Sequence, residues 1–335
     1  MTQSTRLATP SMPCRLSRRL LLVAGAAATF APRLALAQEY PSKPIRLMVG
    51  ATPGGSIDFG ARAIAIALGE ALGQTVIVEN KPGAAGVINS DYVAKSAPDG
   101  YTLMVGTPSP VIIAPQAMAK ATFNALTDVI PINMVSTSPI GIAVNPRLQV
   151  KRLSDLVALA KQRTVTMGLP LAGSVSHLTT ELIAKAAGIT FQNVPYKGAA
   201  PAITDTIAGH IDATVSDVGV FLPFHREERL RIVSVTSEKR VEALPDVFAA
   251  TEEYPGLVVT NWVGLFAPAK TPKAVIDKIN AALQKTVANK DVRAQFGKSS
   301  VTATSMASQQ AFQTFVAAEY HRYGALLRER NIVIE

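Results

Sequence analysis

The chain has 335 residues, of which 17% are charged and 48% are hydrophobic, and its formal net charge is +9. This length is enough for two domains, each with a core of its own. The basic residues form no stripe interleaved with aromatic side chains, which argues against nucleic-acid binding. The single cysteine, Cys14, excludes an intrachain disulfide and a cysteine-based metal site.

The first 37 residues have the layout of a secretory signal peptide. Arginines precede an apolar run at residues 20–30, and small residues follow at Ala35 and Ala37. This run is too short to span a bilayer, which takes roughly 20 residues. We expect cleavage after about Ala37 and export to the periplasm, by the general secretory route or, given Arg18 and Arg19, by the twin-arginine route. A buried N-terminal helix is the alternative interpretation.

Cleavage would also change the charge of the chain. It would remove five arginines and leave 28 Lys and Arg against 24 Asp and Glu, a formal charge of +4. Cys14 would be lost with the same segment, so the mature chain would contain no thiol. A mildly basic surface favours an anionic ligand only weakly.

Beyond the signal peptide, β-branched runs alternate with stretches of helical period. The pattern predicts strands at 45–50, 75–79, 101–106, 165–167, 189–194, 211–215 and 231–236. It predicts helices at 57–72, 154–163, 174–187, 199–208, 272–288 and 309–328, and a loop leading into a helix at 83–95. Such alternation is typical of mostly parallel sheets covered by helices on both faces.

Two apolar stretches interrupt this alternation, residues 132–144 and residues 257–268. The first is broken by Ser138-Pro139, and the second surrounds Trp262. We interpret them as paired strands that cross between two doubly wound α/β lobes, with a ligand cleft between the lobes. Lobe 1 is then discontinuous, residues 38–138 plus 264–335, and lobe 2 is residues 139–263.

The first candidate binding loop follows the first strand and comprises Thr52, Pro53, Gly54, Gly55, Ser56 and Asp58. Adjacent glycines permit a tight turn that exposes backbone N–H groups, and the positive end of a helix dipole suits an anion. In open α/β sheets ligands bind at such loops. Asp58 would oppose an anion, so we expect it to cap the helix, or to hold a water or a ligand amine. A plain capped turn is the alternative.

The second candidate loop repeats this design in lobe 2 and comprises Ala172, Gly173, Ser174, Ser176 and His177. Two helix starts, one per lobe, would face each other across the cleft and would suit a dicarboxylate or an amino acid, with waters on one side for a smaller ligand. Capping alone would also explain the two serines, and a packing role would explain His177.

Three further candidates, Thr107, Ser109 and Asp217, follow other predicted strands. They should open on the same edge of the fold as the two loops, because the carboxyl ends of parallel strands lie together. A structural role is the alternative for each of them.

The sequence has no Gly-x-Ser-x-Gly elbow, no Walker loop and no Gly-x-Gly-x-x-Gly after the first strand. Its four histidines lack metal-ligand spacing. We therefore predict no enzymatic activity, no catalytic residue, no cofactor and no metal. A hydrolase with Ser174 as nucleophile and His177 as base is the alternative, although Ser174 would be occupied as a helix cap and no third residue orients the base.

Short motifs are spread over nearly all of the expected mature chain. They are YPSKPI at 40–45, PGG at 53–55, ENKPGA at 79–84, APDGYTL at 97–103, VPYKG at 194–198, VTS at 235–237, LPD at 244–246 and WVGLFAP at 262–268. In this order and spacing they resemble the Bug/TctC family, the extracytoplasmic solute receptors of tripartite tricarboxylate transporters in Gram-negative bacteria.

The resemblance implies a periplasmic-binding-protein-like fold (type II) and a periplasmic receptor that is not an enzyme. Relatives clamp organic carboxylates between two βα loops, which match residues 52–58 and 171–177 here. The loaded receptor, which we expect to be a monomer, would dock on the small and large membrane subunits of a tripartite transporter. A carboxylate sensor for a signalling kinase is the alternative.

Both loops depart from the family pattern. Ile57 stands where the family usually has a small hydroxyl residue, and Leu169-Pro170-Leu171 replaces the usual serine, small residue and glycine. Pro170 lacks an N–H donor and Leu171 lacks the backbone freedom of glycine. Fewer polar partners and more apolar surface predict a bulkier or less charged ligand, such as an aromatic or branched monocarboxylate.

Overall fold

The computed structural model describes residues 40–53 and 56–334. The predicted signal peptide, Cys14, Gly54 and Gly55 lie outside the described residues. All elements below belong to one compact unit, Tyr40–Glu335. Within the described ranges, no helix combines the length and the hydropathy that crossing a membrane requires.

Strands and helices alternate along most of this unit. Its first part contains β1 (Ile45–Val49), α1 (Ser56–Leu72), β2 (Val76–Asn80), α2 (Val87–Ala94), β3 (Thr102–Gly106), a π-helix (Ser109–Ile113), α3 (Ala114–Ala117) and β4 (Val129–Val144). Its middle part contains α4 (Leu153–Gln162), β5 (Thr166–Leu169), α5 (Val175–Ala187), β6 (Gln192–Pro195), α6 (Ala199–Ala208), β7 (Ala213–Asp217), α7 (Val218–Arg226) and β8 (Arg231–Val235). Its last part contains β9 (Thr260–Pro268), α8 (Lys273–Ala288), α9 (Lys290–Gly297), β10 (Thr302–Ala303) and α10 (Gln309–Glu329).

Two antiparallel strands, β4 and β9, connect the two halves of the sheet. The strand order over the described residues is β2-β1-β3-β9-β4-β7-β5-β6. The first half, β2-β1-β3, and the second half, β7-β5-β6, are each parallel. β4 pairs with β9 from Val129 to Pro139 and with β7 and β8 from Ile140 to Val144. This is the predicted two-lobe α/β fold, while the exact lobe boundaries stay predictions.

Two of the differences between the structure and the predicted elements concern β4 and α7. β4 is continuous, although Ser138-Pro139 predicted an interruption; the missing N–H of Pro139 falls where β4 changes partners. The helix α7 was not predicted because Gly219 and Pro223 are poor helix formers. It forms because Phe221 packs in the core, and such burial outweighs propensity.

An aromatic cluster packs α10 against the crossing strands. The ring of Trp262, in β9, is 1% exposed, and its centroid lies 5.8 Å from that of Phe312 in an edge-to-face arrangement. The ring of Phe266 contacts both, with its centroid 6.2 Å from that of Trp262 and 5.8 Å from that of Phe312. Because successive strand residues point to opposite faces, Asn261 and Val263 face away from this cluster.

Candidate functional site

A cavity of about 270 Å³ lies at the crossing strands. Its polar wall is formed by Thr107, Ser136, Ser138, Asp217 and Asn261, and its apolar wall by Phe59, Val220, Val263, Phe296 and Val301. Gly60, Gly219 and Ser299 complete the lining. The lining comes from both halves of the sheet and from the strands between them. The volume is near the lower end of the range for small-molecule sites, about 300–1,000 Å³.

The crossing strands contribute a polar face because their side chains alternate. Ser136 and Ser138 are two residues apart in β4 and point to the same side of the sheet. Ser136 pairs in register with Val263 and Ser138 with Asn261 of β9. The four side chains therefore form one patch. One pair, Ser138 and Asn261, is polar, and the other pair, Ser136 and Val263, is mixed.

Asp217 links this patch to the second half of the sheet. It is the last residue of β7 and the N-cap residue of α7, yet its side chain makes no capping hydrogen bond. Its Oδ1 accepts hydrogen bonds from the hydroxyl of Ser138 and, at 3.1 Å, from Nδ2 of Asn261. Burial raises the pKa of the Asp217 carboxyl, against the lowering effect of these two hydrogen bonds.

Two polar atoms of the cavity wall lack a hydrogen-bond partner among the described residues. They are Oγ of Ser136, a residue that is 1% exposed, and Oδ1 of Asn261. Buried polar side-chain atoms nearly always have a partner, from the protein or from a bound molecule. These two atoms therefore mark where a bound molecule would make hydrogen bonds.

The second predicted loop forms the start of α5. Oγ of Ser174, the N-cap residue, accepts from the backbone N–H of His177 at 3.3 Å and donates to the carbonyl oxygen of Leu171 at 2.7 Å. Nδ1 of His177 accepts from the N–H of Gly173 at 3.1 Å. Burial lowers the pKa of His177, and Glu181, 3.9 Å from its Nε2, opposes that effect. Ser176 is buried within the first turn.

A hydrogen bond joins the start of α5 to the turn after β3. Oγ of Ser109 accepts from the backbone N–H of Val175 at 3.3 Å. Two candidate regions that are distant in sequence therefore meet. Thr107, in the same turn, is buried and lines the cavity instead.

The C-terminal segment holds α5 from the other side. Nε of Arg330 lies 2.6 Å from Oε2 of Glu181, and Nζ of Lys185 lies 2.7 Å from Oε2 of Glu329. A Cβ on Gly173, whose φ is +67°, would approach the side chain of Ile334 to 3.0 Å. Both the space and the backbone conformation at this position therefore favour glycine.

The first predicted loop is described only in part. Thr52 and Pro53 are exposed, whereas Gly54, Gly55 and the side chain of Ser56 lie outside the described residues. Asp58, in the first turn of α1, is 2% exposed. Its carboxylate accepts from Nε of Arg62 at 2.9 Å and from Nδ2 of Asn80 at 2.8 Å. These contacts tie the start of α1 to β2.

Sequence reasoning found Thr107 and Asp217 but missed the other polar cavity residues. Ser136, Ser138 and Asn261 lie inside strands, and the prediction looked for binding residues in loops. A signal was present, because Ser136-Thr137-Ser138 places polar residues within an otherwise apolar stretch. Among the described residues, no group of three or more His, Cys, Asp or Glu is arranged to hold a metal ion.

The family described as tripartite tricarboxylate transporter family receptor (TctC) matches residues 60–332. Protein BugT of Bordetella pertussis is 34% identical over 297 residues, 88% of this chain and 91% of BugT. The structure of R. palustris Rpa4515 with adipate has a TM-score of 0.79 and 28% identity, covering 88% of this chain and 99% of that one. MatC from Rhodopseudomonas palustris with bound malate has a TM-score of 0.75 and 26% identity, covering 86% and 100%.

Proposed function

We propose that this chain, which belongs to the tripartite tricarboxylate transporter receptor family, is a periplasmic receptor that captures a small organic carboxylate. The observation that carries the proposal is the cavity at the crossing strands. Its walls include Phe59 and Thr107 from the first half of the sheet and Asp217 and Val220 from the second. Because a movement of the halves about β4 and β9 would open or close such a cavity, solute binding would be coupled to closure.

Relatives support a carboxylate as the ligand, since the two similar structures contain adipate and malate. The start of α5 would hold the carboxylate, because the positive end of a helix dipole favours an anion. At Pro170 and Leu171 the chain departs from the family pattern, and this favours a bulkier or less charged ligand. The side chain of Leu171 is 38% exposed and adds apolar surface to the loop. The rings of Phe59 and Phe296, 5.8 Å apart, offer apolar surface to an aromatic or branched monocarboxylate.

The hydrolase alternative has weaker support. Oγ of Ser174 and Nδ1 of His177 both form hydrogen bonds with main-chain groups, and these bonds account for the two side chains as parts of a helix start. A serine nucleophile needs its hydroxyl oriented toward a base. We therefore propose that the solute leaves the receptor chemically unchanged.

The loaded receptor would then deliver the solute to the small and large membrane subunits of a tripartite transporter. This step rests on the family to which the chain belongs. Export would follow from the predicted signal peptide, residues 1–37. A sensor that presents the solute to a signalling kinase would use the same cavity, and transport assays in a strain lacking the gene would separate the two roles.

The test of the proposal is a thermal-shift screen of the exported protein against carboxylates and other small metabolites. A ligand at a hundred times its Kd adds about 2.7 kcal/mol to the free energy of unfolding, which raises Tm measurably. We expect a hit among carboxylates, with the compound recovered intact. Hits confined to other compound classes, or a chemically altered compound, would contradict the proposal.

A further inference from the structure

The carboxylate of Asp217 does not cap the helix at whose start it lies. An aspartate at an N-cap position ordinarily accepts hydrogen bonds from the N–H groups of the first helical turn. The side chain of Asp217 makes no such bond and turns instead to the crossing strands, where it meets Ser138 and Asn261. It also lines the cavity.

Within the part of the chain that the structure describes, Asp217 forms no ion pair with a positive side chain. None of the residues that line the cavity is Lys, Arg or His. A half-buried carboxylate without a cationic partner is less stable than an exposed one unless it binds a proton or a cation. The raised pKa of Asp217 has the same cause, since burial is the largest contribution to it.

The polar atoms of the cavity wall that have no hydrogen-bond partner in the described structure are mainly acceptors. Oδ1 of Asn261 is an acceptor, and Oγ of Ser136 can accept as well as donate. A solute carboxylate placed here would meet Asp217 and the lone pair of Asn261 without a compensating charge. A protonated amine would donate to both and would neutralise the carboxylate.

From this geometry, and on the basis of the proposed function, we propose that Asp217 selects solutes that carry a protonated amine, which binds between Asp217, Asn261 and Ser136. The carboxylate of the same solute then lies away from Asp217, on the side of Thr107, whose turn contacts the start of α5 through Ser109. Phe59 and Phe296 cover the carbon skeleton. The ligand class is therefore an amino monocarboxylate with an apolar body.

The test uses pairs of compounds that differ only in an amine: phenylalanine and 3-phenylpropanoate, leucine and 4-methylpentanoate, glutamate and glutarate. Titration calorimetry of the exported protein should show tighter binding of the amine-bearing member, by at least about tenfold, in each pair that binds. Asp217→Asn should remove this preference. The variant is nearly isosteric, and its Oδ1 can still accept from Ser138 and Asn261.

Asp277→Asn is the matched control. Asp277 is an exposed carboxylate on α8, 2.6 Å from Nζ of Lys273, and lies outside the cavity lining, so this variant should keep the preference. Ser136→Ala provides a second test should the Asp217 variant fold poorly, because it should weaken only the amine-bearing members. Equal or tighter binding of the amine-free members, or a preference that persists in Asp217→Asn, would overturn this inference and leave the receptor function standing. Absence of binding by every carboxylate would overturn the proposed function itself.

Discussion

A Cβ atom on Gly219 would collide with the backbone carbonyl oxygen of Ser299. Gly219 lies in the first turn of α7, and Ser299 follows α9, which packs on the first half of the sheet through Phe296. Both residues line the cavity. The missing side chain therefore lets the two halves of the protein approach each other closely at the edge of the cavity.

We predict that Gly219→Ala weakens binding of the solute by about tenfold or more, which corresponds to at least about 1.4 kcal/mol. The added methyl group would prevent the approach of α7 to Ser299 and so disfavour the closed state. Calorimetry with the best ligand from the thermal-shift screen would measure the change. Gly297→Ala is the control, because a Cβ at that position meets no atom within 4 Å. Equal affinities of the two variants would show that this contact plays no part in binding.

Ser174→Ala should lower both stability and affinity. The variant loses the N-cap hydrogen bond to the N–H of His177, at a cost of about 1 kcal/mol in the free energy of unfolding. Ser308→Ala removes the equivalent bond to Ala311 at the start of α10, away from the proposed site. Urea titration should give similar stability losses for both variants. Only Ser174→Ala should also lower the affinity for the ligand. An unchanged affinity would show that the carboxylate binds elsewhere.

His177 should make stability depend on pH. Because burial lowers its pKa in the folded state, the unfolded chain takes up a proton first as the pH falls. The contribution of His177 to the free energy of unfolding is therefore fully present above pH 6.5 or so and is lost as the pH falls from there toward the lower pKa of the folded state. Urea titrations at several pH values should show this loss in the wild type and a smaller one in His177→Asn, whose Oδ1 can replace Nδ1 as acceptor. If the free energy of unfolding falls equally with pH in the wild type and in His177→Asn, the pH dependence does not come from His177.

The exported protein should begin at Gln38. Intact-mass measurement of protein from the periplasmic fraction would locate the cleavage, and a mass that includes residues 1–37 would contradict it. Replacing Arg18 and Arg19 by lysine separates the export routes. The twin-arginine route requires the arginine pair, whereas the general route needs only positive charge.

The sequence predicted the parts of the fold that depend on local pattern. Runs such as Ile45–Val49 are apolar apart from Arg46, and all the other residues of this strand are buried, as is usual for parallel strands. Thr107 and Asp217 were found because the carboxyl ends of parallel strands share one edge. The crossing of β4 and β9 was found because both stretches are apolar and interrupt the alternation.

The cavity residues that were not predicted, and the helix α7, depend on contacts between residues far apart in the sequence. Phe296 and Ser299 reach the cavity from α9, far along the chain from Phe59. No residue near Asp217 in the sequence indicates that Ser138 and Asn261 will hold its carboxylate. Gly219 looked unfavourable for a helix, yet the approach of Ser299 leaves room for no other residue.

The aromatic cluster on the crossing strands has a practical consequence. The chain contains one tryptophan, Trp262, and it lies in β9 between the cavity residues Asn261 and Val263. The intrinsic tryptophan fluorescence of the unlabelled protein therefore originates from one residue of the crossing strands. Any displacement of β9 relative to Phe312 alters the environment of that indole. If the two halves move about β4 and β9 as we propose, the fluorescence of Trp262 will report that movement in real time during rapid mixing with a solute.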